Sequence, residues 1–178
     1  NYKTKANSEI EFKYALNLLK NENNYIADVL GTKAALNMFL DNTDKAIKQL
    51  KQVYKLDEDS KQLFIIATLL YKKEKYYEAI KYFQKALELG YSKVNCIIGI
   101  IACKLELGRL EEANNMIEKY EKKYRGDIGL IYNKAKYEYK KGNISKAREL
   151  LDAIEPKINN SKFARRSFHQ LYDKVKES

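Results

Sequence analysis

Three alanines, Ala79, Ala113 and Ala147, stand 34 residues apart, and Gly108 and Gly142 recur at the same interval. A fixed period of this length means one supersecondary unit used repeatedly, because each unit buries its apolar face only by stacking on the next. The clearest unit is Tyr76–Leu89. There Ala79, Phe83, Ala86 and Leu87 fall at helical spacing, with Glu78, Lys81, Lys85 and Glu88 on the other side. Small side chains at Ala79 and Ala86 let a neighbouring helix come close, and Phe83 fills the space between them. The preceding stretch supplies that neighbour: Leu63, Ile66, Ala67 and Leu70 form a second apolar face, and Lys72–Lys75 a polar turn. The chain therefore reads as a series of helical hairpins. One proline and seven glycines in 178 residues suit helices throughout.

Four hairpins are predicted, at about 25–56, 60–91, 94–124 and 128–158. The first places Leu30, Ala34 and Met38 on one helix, turns at Asp41-Asn42-Thr43, and lines the next helix with Ala46, Leu50 and Val53. Ala46 lies 33 residues before Ala79, so a one-residue adjustment falls at Asp57–Ser60. The third uses Ile97, Ile100 and Ile101, then Ala113, Ile117 and Tyr120. The fourth uses Ile131, Ala135 and Tyr139, then Ala147, Leu151 and Ile154, and Pro156 is expected to stop its last helix. Flanking helices are expected at about 9–20, with Ser8 as N-cap, and at about 161–176, with Phe163, Phe168, Leu171, Tyr172 and Val175 inward. One domain over 1–178 is the expected organisation.

The order Leu-x2-Ile-Ala-x2-Leu followed by Ala-x3-Phe-x2-Ala resembles the tetratricopeptide repeat family, over about Tyr25–Ile158. The chain departs from the family pattern at several points. The turn glycine is Asp41 in the first hairpin and Glu74 in the second. Lys33, Lys104, Lys134 and Glu138 stand where the family prefers apolar groups, and Tyr91 replaces the usual closing proline. The resemblance implies an all-α, right-handed α-solenoid of about four hairpins with capping helices at each end. It also implies a concave groove lined by the first helix of each hairpin: Phe64, Thr68, Tyr71, Ile98, Ala102, Leu105, Tyr132, Asn133, Lys136 and Tyr139. Some members clamp a partner's terminal carboxylate there. The matching positions in this chain are Gly31, Phe64, Ile98 and Tyr132, so that clamp is absent. The implied function is a non-catalytic scaffold for a protein or peptide ligand. Peptide-sensing parts of larger bacterial regulators resemble the same fold and are the alternative.

Nothing in the sequence has the pattern of a catalytic, cofactor or metal site. His169 is the single histidine and lacks ligands at metal-binding spacing, and the glycines form no phosphate loop. The acids at Asp57-Glu58-Asp59 and Glu111-Glu112 stand at predicted helix starts, where negative charge suits the helix dipole. Cys96 and Cys103 lie on one helix about 10 Å apart along its axis, too far to bridge, and read as core. Two separated thiols and no secretion-type apolar stretch in Asn1–Lys20 suggest a cytoplasmic location. No apolar run approaches the roughly 18 residues of a membrane span. The net charge is +10, and Lys119–Arg148 holds ten basic groups against three acids. Such a run on a helical repeat is ordinarily a solvated face. The alternative is a surface that steers nucleic acid or an anionic membrane.

Overall fold

Each predicted hairpin needs a chain reversal, and the backbone makes all four reversals in the same way. Asp41, Glu74, Gly108 and Gly142 all take the left-handed conformation, with φ of 60°, 60°, 71° and 83°. The amide after each one donates to a carbonyl five residues back: Asn42 to Asn37 at 2.8 Å, then Lys75 to Leu70, Arg109 to Lys104 and Asn143 to Glu138, each at 2.9 Å. This is the Schellman closure, which satisfies carbonyls that a helix end would otherwise leave unpaired. Two hairpins thus use an acidic residue where the other two use glycine, and the turn geometry is the same.

The computed structural model describes residues 26–158 and 162–178. The helix expected at about 9–20 and the side chain of Phe163 lie outside the described residues. The hairpins are α1 (Ile26–Phe39) with α2 (Thr43–Asp57), α3 (Ser60–Lys72) with α4 (Tyr76–Glu88), α5 (Lys93–Glu106) with α6 (Leu110–Glu121), and α7 (Ile128–Lys140) with α8 (Ile144–Ile158). A last helix, α9 (Lys162–Glu177), follows. Among the described residues there is no strand, and no helix is long and apolar enough to cross a membrane. Asp59 caps α3 by accepting from the Lys61 amide at 2.9 Å, and Asp127 caps α7 by accepting from the Leu130 amide at 3.0 Å.

The chain divides into two compact units, Asn1–Tyr91 and Ser92–Ser178. In the first, Ala46, Ala67, Ala79 and Ala86 are fully buried, and Leu63, Ile66, Leu70 and Phe83 close around them. The outer helices are joined by reciprocal cation–π contacts, with Lys51 5.4 Å from the Tyr82 ring and Lys85 4.9 Å from the Tyr54 ring. Met38 differs from expectation: it is exposed, and Val29, Ala34 and Leu36 are the buried residues of α1. Apolar residues lie all round α1, so periodicity alone does not rank its faces.

In the second unit, Ala113 and Ile117 pack on Ile97, Ile101 and Leu105. Ala135, Ala147, Leu151 and Ile154 form a further cluster, closed by Phe168, Leu171, Tyr172 and Val175 of α9. Gly129 allows α7 to sit close on α5, since a Cβ there would lie 2.7 Å from Ile98 Cδ1. Pro156 does not stop α8, which runs two residues further to Ile158. It falls in the final turn, where its missing N–H costs a single intrahelical bond and little helix remains to be kinked.

Candidate functional site

The predicted groove residues fall on α3 in the first unit and on α5 and α7 in the second. On α3, Phe64, Thr68 and Tyr71 share a face and are half-buried. Two of them are already engaged. Phe64 stacks on Tyr91 at 4.7 Å and tilts against Phe83 at 5.4 Å, while Tyr71 meets the Tyr76 ring edge-on at 5.4 Å. Thr68 Oγ1 donates to the Phe64 carbonyl at 2.9 Å.

On α5, Ile98 and Ala102 are half-buried, but Leu105 is fully buried in the apolar cluster with Ala113 and Ile117. Asn133 on α7 is only 2% exposed, and its amide donates to the Ile98 carbonyl at 3.0 Å. Leu105 and Asn133 are therefore packing residues, which corrects their expected place in the groove. Leu105 is covered by α6 of its own hairpin, whereas Asn133 lies one turn beyond Gly129, where α7 approaches α5 closely.

The remaining α7 residues, Tyr132, Lys136 and Tyr139, line a cleft of about 230 Å³ together with Glu106, Lys140, Ser167, Gln170, Leu171 and Lys174. Tyr132, Lys136, Tyr139 and Lys140 stand at i, i+4, i+7 and i+8, one face of the helix. Tyr132 Oη donates to the Ser167 carbonyl at 2.9 Å, so it also positions α9. Burial, with a smaller effect from the Glu106 carboxylate, pushes its phenol up to about 12. Glu106 accepts from Lys136 and lies 3.5 Å from Lys140. Two lysines thus share one carboxylate, and Lys174 adds a third cation to the walls. Glu106 was missed by the groove assignment, although the register could have found it. Lys140 lies 34 residues after it, and residues one period apart on successive first helices are neighbours.

Most of the basic block is engaged nearby. Lys134 pairs with Glu121 at 2.6 Å and Lys146 with Glu138 at 2.6 Å, and Arg148 donates to the Val175 carbonyl at 3.0 Å. Lys119 and Lys123 lie 5.5 and 5.6 Å from the rings of Tyr120 and Tyr124. A larger recess of about 580 Å³ opens between α6 and α7 over Ile117, Tyr124, Leu130 and Ile131. Its charged walls mix Glu118 and Glu121 with Lys122, Arg125 and Lys134, and none of the predicted groove residues reaches it.

The groups with chemical potential take structural roles. Cys96 and Cys103 are fully buried, and burial raises their thiols to about 11 and about 12, so neither is a thiolate near neutrality. His169 is exposed beside the Phe168 ring. Among the described residues, no group of His, Cys, Asp and Glu is arranged to hold a metal ion.

Repeated two-helix hairpins with one turn geometry and a buried small residue on each second helix define an all-α helical repeat of the tetratricopeptide type. Comparison with known proteins agrees. The family model for anaphase-promoting complex, cyclosome, subunit 3 matches residues 40–120. A solved tetratricopeptide repeat protein from Parabacteroides merdae superposes with a TM-score of 0.71 at 16% identity, covering 99% of this chain and 73% of that one. YrrB, described as a tetratricopeptide repeat protein with an unusual peptide-binding site, superposes with a TM-score of 0.62 at 21% identity, covering 92% and 86%. No curated protein matches the sequence. The fold is thus that of solved tetratricopeptide repeat proteins, and a repeat-protein family model matches its central part.

Proposed function

We propose that this chain is a non-catalytic protein-interaction scaffold that receives an acidic peptide segment on the first helices of its hairpins. In the second unit the receiving surface is the α7–α9 cleft. The observation that carries this reading is the single face of α7 that presents two tyrosines and two lysines to a cleft with a further lysine on its other wall. Aromatic side chains supply anchoring area at low entropic cost, and the lysines outnumber the one glutamate present, so the complementary occupant is negatively charged. YrrB's described peptide-binding site supports a peptide as the ligand class. In the first unit Phe64, Thr68 and Tyr71 remain the proposed contact face, with Phe64 and Tyr71 held in place by their aromatic neighbours. The nucleic-acid alternative has less support, because most of the basic block is engaged by carboxylates, tyrosine rings or a backbone carbonyl of the same unit, and the block is poor in arginine.

Selection of the full chain against a random peptide-display library tests the proposal, followed by affinity measurement on the enriched peptides. The expected consensus combines acidic and apolar residues. Tyr139→Ala should weaken binding by about 2 kcal/mol if Tyr139 is an anchor, and Lys140→Glu should weaken it as well. Lys122→Glu, which lies away from the cleft, should leave affinity nearly unchanged. Tyr132→Ala is unsuitable, because it also releases α9. A consensus without acidic residues, or binding indifferent to Tyr139 and Lys140, would overturn the reading.

A further inference from the structure

Three repeat-equivalent positions recur at the mouth of every hairpin: four residues before the left-handed turn residue, one after it and four after it. In the first hairpin they are Asn37, Asn42 and Lys45, and the Asn42 amide donates to Asn37 Oδ1 at 3.3 Å. In the second they are Leu70, Lys75 and Glu78, with Leu70 buried and Lys75 3.7 Å from Glu78. In the third, Glu112 accepts from Lys104 at 2.5 Å and from both Nε and Nη2 of Arg109 at 2.6 and 2.8 Å. In the fourth, Glu138 accepts from Lys146 at 2.6 Å and from Asn143 at 2.7 Å. One geometric site thus carries four different chemistries.

In the third and fourth hairpins the outer two positions exchange sign, and the middle one is Arg109 in the third and Asn143 in the fourth. The first-helix member is cationic in one and anionic in the other, and it is the less exposed member in both. The Lys104 and Glu138 side chains are 14% and 5% exposed, against 46% and 55% for their partners Glu112 and Lys146. A buried charge is tolerated only beside its counter-charge. The second helices share the same fully buried small residue, Ala113 in one and Ala147 in the other, so that position does not tell the two hairpins apart. If α5 docked on α8, Lys104 would face Lys146. If α7 docked on α6, Glu138 would face Glu112. Misassembly and exchange between like units are the characteristic failures of repeat proteins.

We propose that the sign-exchanged triads Lys104–Arg109–Glu112 and Glu138–Asn143–Lys146 are the specificity determinants that keep each first helix on its own second helix. They exclude exchange between the two hairpins of one chain and between two copies of the chain.

The test uses the full chain with Lys104→Glu, Arg109→Asn and Glu112→Lys combined, which gives the third hairpin the fourth hairpin's set. Because that set is satisfied in the same geometry, the urea midpoint should stay near that of the parent. Rapid refolding should then yield less native monomer and more exchanged dimer, read by size-exclusion chromatography with light scattering and by hydrogen-exchange protection. Adding Glu138→Lys, Asn143→Arg and Lys146→Glu makes the two sets different again, and clean refolding should return. A triple variant that refolds as cleanly as the parent overturns the proposal, as does a sixfold variant no better than the triple. A triple variant that fails to fold at equilibrium also overturns it, because the third hairpin would then not accept the fourth's set.

Discussion

Replacing Glu74 by glycine should stabilise the protein, although it removes a side chain from a helix-rich chain. Glu74 holds φ at 60°, the conformation that Gly108 and Gly142 take at the equivalent turns. A residue with a Cβ pays about 1–2 kcal/mol there through its clash with the following carbonyl. Glycine avoids that strain but loses about 0.5–1 kcal/mol more backbone entropy on folding. The difference leaves a net gain of about 0.5–1 kcal/mol. Little else is lost, because Glu74 is exposed and the bonds that close the turn run through backbone atoms. Urea unfolding followed by circular dichroism should show a higher midpoint with an unchanged slope. Glu74→Ala is the control: it removes the carboxylate but keeps the Cβ, and should be nearly neutral. The reciprocal Gly142→Ala has no atom within 4 Å of the new Cβ, so any loss it shows is conformational, at about 1 kcal/mol. A Glu74→Gly variant that is neutral or weaker than the parent, or that matches Glu74→Ala, would refute the strain argument.

Phe83→Ala should cost about 3–5 kcal/mol, seen as a lowered thermal midpoint, because Phe83 is 3% exposed between two buried alanines and its cavity cannot collapse. Cys96 and Cys103 should resist thiol-specific reagents at neutral pH in the native protein and react together once it is denatured, since burial holds both thiols protonated. Burial alone would raise the Glu138 carboxyl, but its hydrogen bonds to Lys146 and Asn143 outweigh that and hold it below the ordinary value of 4.5. A carboxyl lowered on folding stabilises the protein above its unfolded value and loses that contribution as pH falls through the lower folded value. Urea midpoints measured down an acid series should therefore fall less steeply for Glu138→Gln than for the parent, and parallel curves would refute the assignment.

The repeat was legible because its signals are local and additive. A small residue every 34 positions and a period of 3.6 within each segment fix which helices pair and which face turns inward, so Ala79, Ala113 and Ala147 are all buried as expected. The turns were legible even without glycine, since Asp41 and Glu74 stand at the repeat positions of Gly108 and Gly142. Periodicity assigns a face to within about a residue but does not say how deeply a neighbouring helix overlaps it. That overlap put Leu105 into the core against α6 and Asn133 into the close α7–α5 approach beside Gly129, which took both out of the groove. The apparent misfits Lys104 and Glu138 likewise became intelligible only in three dimensions. A charge withdrawn from water, half-buried at Lys104 and buried at Glu138, is decided by the partner within about 4 Å, and here that partner lies across the hairpin turn. The sequence by itself determined the helices, their order and their turns. The tertiary structure decided which side chains were left to face a partner, because exposure is a property of the packed helices together and not of any one segment.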